Sequence, residues 1–185
     1  MDNGASSYRR YLDGDDNGLS EIVGDYKDGL ILYLNQFVNN LCVAEELTED
    51  TFFRLITKKP KFSGKSSFKS WLYAIGRNIA IDHIRHNSKL INTPIEDADN
   101  YISDGKSLEQ AYIMEENKQA LHSALSKLIP DYRQVLWLVY FEEFSNSEAA
   151  VVMKKNARQI KNLLYRAKKS LKSELDKEGF IYEDL

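Results

Sequence analysis

The sequence predicts an all-α protein built as two small helical domains joined by a flexible linker. Three observations predict it. Large apolar residues recur three or four positions apart over most of the chain, and no stretch alternates in the manner of a strand. Only three prolines and nine glycines are spread over 185 residues, too few for a turn-rich β fold. Between the two periodic halves lies a run rich in Asn, Ser, Asp and Gly and poor in large apolar side chains, which reads as linker. The resulting organisation is an N-terminal extension over 1–18, a first domain over 19–87, a linker over 88–114, a second domain over 115–177 and a tail over 178–185.

The elements follow in order. Leu19, Ile22, Tyr26, Leu30, Tyr33, Phe37 and Leu41 form one apolar stripe at helical spacing. A second helix is expected over 43–58, with Leu47, Thr51, Phe52 and Leu55 on one side. Residues 59–67, KPKFSGKSS, have the composition of a loop. A third helix follows over about 68–86, with Phe68, Trp71, Leu72, Ile75, Ile79 and the stem of His83 on its inner face. Helical spacing resumes through Leu108, Leu121, Leu125 and Leu128. Pro130-Asp131 then opens an apolar helix carrying Val135, Leu136, Leu138, Val139 and Phe141.

Charge is informative by segment. The chain carries −3 overall, yet residues 56–91 hold eight basic groups and one acidic group. Residues 154–177 hold nine basic and two acidic groups. Two basic blocks set in an acidic chain point to two contacts with a polyanion; two solvated helix faces would give the same count. The single cysteine, Cys42, rules out an intramolecular disulfide and a cysteine-based zinc site. No apolar run approaches the ~20 residues of a membrane span. The N-terminus lacks the apolar core of a secretory signal, so a cytoplasmic protein is expected.

The clearest local grammar is C-terminal. Ser145-Asn-Ser-Glu148 fits a capping box, opening a short helix that ends near Met153. Asn156-Ala-Arg-Gln159 repeats the arrangement and opens a longer helix over about 157–175. A short helix, a tight turn and a longer basic helix make a helix-turn-helix. Arg158, Gln159, Lys161 and Asn162 in its first turns are donors suited to base edges and phosphates, while Ile160, Leu163, Leu164 and Ala167 face inward.

Two segments also resemble a known family, the extracytoplasmic-function sigma factors of bacterial RNA polymerase. The first runs from Ala44 to Leu55 (AEELTEDTFFRL) and from Phe62 to Arg85 (FSGKSSFKSWLYAIGRNIAIDHIR); it resembles region 2. The second runs from Ala124 to Lys168 and resembles region 4. The resemblance implies that region 2 binds the polymerase clamp and melts the −10 element, while region 4 binds the −35 duplex and the polymerase flap. It places the clamp contact at Glu46, Leu47, Glu49 and Phe52, taken to share one face. Melting needs aromatic platforms and cations along a captured strand. The matching positions are Lys61, Lys65, Ser66, Lys69, Trp71, Tyr73, Arg77, Asn78 and Arg85, with Phe68 and Trp71 also packing candidates. The −35 reader maps onto Arg158, Gln159, Lys161, Asn162 and Arg166, with Lys154 and Lys155 near phosphates. The family's turn often contains glycine; here it reads Lys154-Lys155-Asn156, with Asn156 the residue tolerant of left-handed backbone. The resemblance further implies an anti-sigma factor as a partner.

Enzymatic chemistry is not expected. Gly64-Lys65-Ser66 lacks the glycine at position 59 and the preceding strand of a phosphate-binding loop. Asp82, His83 and His86 lie close together and could suggest a metal, but such spacing on a basic helix is more often incidental, so no metal or cofactor is expected. Two other readings remain at this point. One is a helix-turn-helix regulator with an N-terminal dimerising or sensing domain. The other is a helical enzyme or adaptor that does not touch DNA.

Overall fold

The computed structural model describes residues 3–91 and 116–177, and among these every regular element is helical. The expected linker beyond Ile91, Leu108 within it, and the tail 178–185 lie outside the described residues. The N-terminal unit comprises α1 (Asn3–Leu12), α2 (Asn17–Val38), α3 (Leu41–Lys58) and α4 (Phe68–Ile91). The C-terminal unit comprises α5 (Glu116–Ser126), α6 (Pro130–Leu136), α7 (Asn146–Met153) and α8 (Ala157–Lys177). A π-helical turn, Trp137–Phe141, extends α6.

The α2 stripe packs as its spacing requires: Ile22, Leu30, Tyr33 and Leu34 are fully buried. The helix stops at Asn39, whose left-handed backbone sends the chain back. Asn40 then caps α3 by accepting from the Val43 amide. α3 lays Ala44, Leu47, Thr48, Thr51, Phe52 and Leu55 against α2 and α4. Its two buried threonines satisfy their hydroxyls on the carbonyls of Ala44 and Leu47, one turn earlier.

The N-terminal unit is larger than the expected 19–87, because α1 is part of it. Tyr8 and Tyr11 are buried, and the Tyr8 hydroxyl donates to the Pro60 carbonyl at 2.8 Å. Gly18 permits the contact: a Cβ there would lie 2.2 Å from the Ser7 carbonyl oxygen. Gly4 similarly sits against Phe68 and Tyr26. Burial pushes the Tyr8 phenol up to about 12, with the neighbouring Tyr11 adding to it.

In the C-terminal unit Val135, Leu136, Trp137 and Leu138 meet Ala149, Val152, Met153, Ile160 and Ala167 in the core. The two units also pack on one another. α4 lies against α7, and α2 lies against α6. No helix among the described residues is long and apolar enough to cross a membrane.

Candidate nucleic-acid interface

The helix-turn-helix forms as its caps require. The Ser145 side chain accepts from the Glu148 amide, and the Glu148 carboxylate accepts from the Ser145 amide at 3.0 Å. Asn156 and Gln159 make the same reciprocal pair at 2.8 Å in each direction. Burial would raise the Glu148 pKa, but bonds from Ser145 and Ser67 and the charge of Lys69 outweigh it and hold the carboxyl below its ordinary value. The left-handed residue in the turn is Lys154, at φ 53°, rather than Asn156, which is occupied as a cap. A lysine therefore stands in the conformation that glycine adopts most freely.

α8 buries Ile160 and Ala167 and half-buries Leu163 and Leu164, as its pattern requires. Arg158, Gln159, Lys161, Asn162 and Arg166 are all exposed on its outer side, together with Lys154 from the turn. Gln159 presents only part of its amide, since its carbonyl serves the cap. Lys155 is half-buried and pairs with Asp131 at 3.3 Å. Tyr165, 72% exposed among these cations, is a further surface aromatic that the inward and outward sets did not include. The signal for it was present: it falls between Lys161 and Lys168, on the polar side of the helix.

The residues expected to read a single strand divide into two sets on opposite sides of α4. Trp71, Asn78 and Arg85 are seven apart and share one side. Lys69, Tyr73 and Arg77 are four apart and centre about 140° around the helix from that stripe. Beside the first set, the preceding loop exposes Lys61 and Lys65 and half-exposes Ser66. Trp71 is half-buried, with its ring centroid 5.2 Å from that of Phe62, 5.4 Å from Phe68 and 5.4 Å from Tyr8. Phe68 itself is core. Asn78 is half-buried, and Arg85 is exposed, 3.7 Å from Asp82.

The second set is covered by the C-terminal unit. Tyr73 is not a surface residue: it is 1% exposed, its ring stacked on Tyr33 at 5.3 Å and set edge-on to Phe144. Its hydroxyl donates to Glu142 Oε2 at 2.7 Å. Burial, and then the Glu142 charge, raise its pKa far above the ordinary phenol range. The Lys69 ammonium pairs with the same carboxylate oxygen at 2.9 Å and donates to the Glu142 carbonyl at 3.0 Å. Arg77 Nε donates to Gln134 Oε1 at 3.2 Å.

On α3 the expected face does not exist as one surface. Glu46 and Glu49 are exposed, but Leu47 and Phe52 are 3% and 7% exposed and belong to the core. They fall in the stripe formed by Ala44, Thr51 and Leu55, which packs inward. The aromatic that shares the outer face with the two glutamates is Phe53, 62% exposed. Spacing alone signals it, since positions 46, 49 and 53 follow the helical repeat.

Two helical units, one carrying a basic helix-turn-helix and the other an aromatic and basic loop-helix, each present a cationic surface. Comparison with known proteins names the chain's family. Residues 22–90 match sigma-70 region 2 and residues 118–171 match sigma-70 region 4. The chain is 26% identical over 170 residues to the extracytoplasmic-function sigma factor SigW of Bacillus subtilis (strain 168), covering 88% of this chain and 91% of the relative. It is 28% identical over 155 residues to SigM of the same organism, covering 84% and 93%. Among solved structures, a chain of CnrH in complex with the cytosolic domain of CnrY superposes with a TM-score of 0.65 at 21% identity, covering 94% of this chain and 95% of that one. At that identity the likeness is one of fold. The chain belongs to the extracytoplasmic-function sigma factors: it is an alternative sigma factor, acting with RNA polymerase in promoter recognition and transcription initiation.

Proposed function

We propose that the two basic surfaces divide promoter recognition between them. α8 enters the major groove of the −35 element through Arg158, Gln159, Lys161 and Asn162, with Lys154, Lys155 and Arg166 on flanking phosphates. The loop and outer side of α4 meet the −10 element through Lys61, Lys65, Ser66, Trp71, Asn78 and Arg85. Trp71 and Phe62 offer the platform on which an unstacked base is held, and the lysines follow the backbone. The observation that carries this reading is the exposure of the whole cationic side of α8 on a doubly capped helix-turn-helix.

Glu46, Glu49 and Phe53 form the polymerase contact. An acidic face around one exposed aromatic suits a basic, partly apolar partner. The chain itself supplies no bond-making chemistry; that belongs to the polymerase. An anti-sigma factor is a further partner, a reading supported by the fold shared, at a TM-score of 0.63 and 23% identity, with the sigma factor RpoE solved in complex with the anti-sigma factor NepR from Bartonella quintana. Cytoplasmic action follows from the polymerase partner.

The test is a footprint of promoter DNA by holoenzyme assembled from bacterial core polymerase. R158A and N162A remove upstream protection, while K65A and R85A keep it and lose permanganate-reactive thymines downstream. Loss of both signals in every variant, with polymerase binding intact, overturns the division of labour.

A further inference from the structure

The loop before α4 leaves α3 at Lys59, whose backbone is left-handed at φ 40°, and ends where Phe68 opens the next helix. Little holds it in between. Of residues 60–66, only Pro60 is hydrogen-bonded to another described residue, and Gly64 sits at φ 71°. A segment of this kind loses conformational entropy when it closes on a ligand, and that loss weakens binding. Its apolar anchor is Phe62, whose ring lies 5.2 Å from that of Trp71 and edge-on to Phe68 at 5.6 Å.

The bond on Pro60 comes from α1, 52 positions earlier in the chain. The buried Tyr8 donates its hydroxyl to the Pro60 carbonyl at 2.8 Å. Its ring centroid lies 5.5 Å from that of Phe68 and 5.4 Å from that of Trp71. One side chain thus meets the start of the loop through its oxygen and the inner side of the aromatic platform through its ring. One turn further on, Tyr11 receives the Lys59 ammonium over its face at 5.1 Å. α1 is itself fixed to α2. Ser7 Oγ donates to Glu21 Oε2 at 2.6 Å, and Arg10 pairs with the same carboxylate and with Asp15. Gly18 lets the two helices meet at a distance that a β-carbon would forbid.

We propose that α1 belongs to the −10 reader: Tyr8 is a positioning residue that fixes the start of the 60–66 loop relative to the Phe62–Trp71 platform, a role that rests on the −10 reading of α4 given above. Tyr8 is buried and touches no base. Its hydroxyl orders the loop in advance, so that fixing Lys61 to Ser66 is completed largely in folding and not at strand capture.

The test uses the full chain, assembled with bacterial core polymerase on a promoter from which that holoenzyme initiates. Y8F removes the hydroxyl and keeps the ring. I31V, in the C-terminal half of α2, trims the core to a similar degree away from the loop. K65A removes a loop cation of the −10 reading. Four quantities are read: permanganate reactivity of thymines near the start site, upstream protection, affinity for core polymerase, and hydroxyl-radical oxidation of Phe62 in the free chain. Y8F lowers permanganate reactivity roughly three- to tenfold and raises Phe62 oxidation, with upstream protection and core affinity unchanged; I31V leaves all four as in wild type. Wild-type opening in Y8F, with opening lost in K65A, overturns the role of α1. Equal losses in Y8F and I31V, or a Y8F loss shared by core affinity, make Tyr8 an ordinary core residue and overturn it too. Full opening in both Y8F and K65A overturns instead the −10 reading itself.

Discussion

Lys154 closes α7 with a left-handed backbone, its amide donating to the carbonyls of Ala150 and Val151. A β-carbon in that conformation costs of order 1 kcal/mol, and glycine avoids it. K154G therefore raises stability by about 0.5–1 kcal/mol, seen as a higher melting temperature, while weakening −35 binding through loss of a phosphate contact. The adjacent phenylalanines of α3 make a sharper pair. F52A opens the core and costs about 3 kcal/mol or more. F53A leaves stability within about 0.5 kcal/mol and weakens binding to core polymerase, measured by native gel or interferometry. The reverse pattern would show that the acidic face has been misread. Which phenylalanine faces out was legible in the sequence: Leu47, Thr51 and Leu55 already define the buried stripe, and Phe52 flanks it. Grouping Leu47 and Phe52 with Glu46 and Glu49 ignored that same repeat.

At the scale of elements, the caps were the most legible feature, because a cap is a local hydrogen bond between residues three apart. Both reciprocal pairs of the helix-turn-helix form as their residues require. S145A costs about 1 kcal/mol. Glu148 adds a pH dependence whose sign is fixed. Its folded pKa lies below its unfolded value of about 4.3. Its stabilisation is thus fully present above that value and is lost as pH falls through the depressed folded one. Thermal melts of wild type and E148Q should differ at neutral pH and converge in strong acid; a gap that persists in acid would contradict the carboxylate's role. Two elements were not legible. α1 is short and polar, and its place depends on Gly4 and Gly18 meeting distant atoms, although Tyr8 and Tyr11 at helical spacing gave a faint signal. The π-helical turn was read as continuous α-helix because both have an apolar side; an inserted residue leaves no mark in hydrophobic pattern.

For the whole molecule, periodicity and charge revealed the two helical units, and the linker-like composition separated them. Their contact was invisible, because it joins residues far apart in the chain, Tyr73 meeting Glu142 across 69 positions and packing edge-on against Phe144. Lys69, Tyr73 and Arg77 were therefore expected at the surface, where the structure covers them. Both basic blocks remain available in outline, and binding through them is governed by phosphate neutralisation. Removing Arg166 should lower the slope of log affinity against log salt by about one in holoenzyme binding, and an unchanged slope would place that side chain off the DNA. The account stands on initiation itself. The most direct measurement is run-off transcription by purified bacterial core polymerase on fragmented genomic DNA, with and without this chain. Discrete transcripts that require it, arising from start sites that share two upstream elements, are the predicted result. No transcripts, from folded protein and a core shown active with another sigma factor of the same organism, would contradict it.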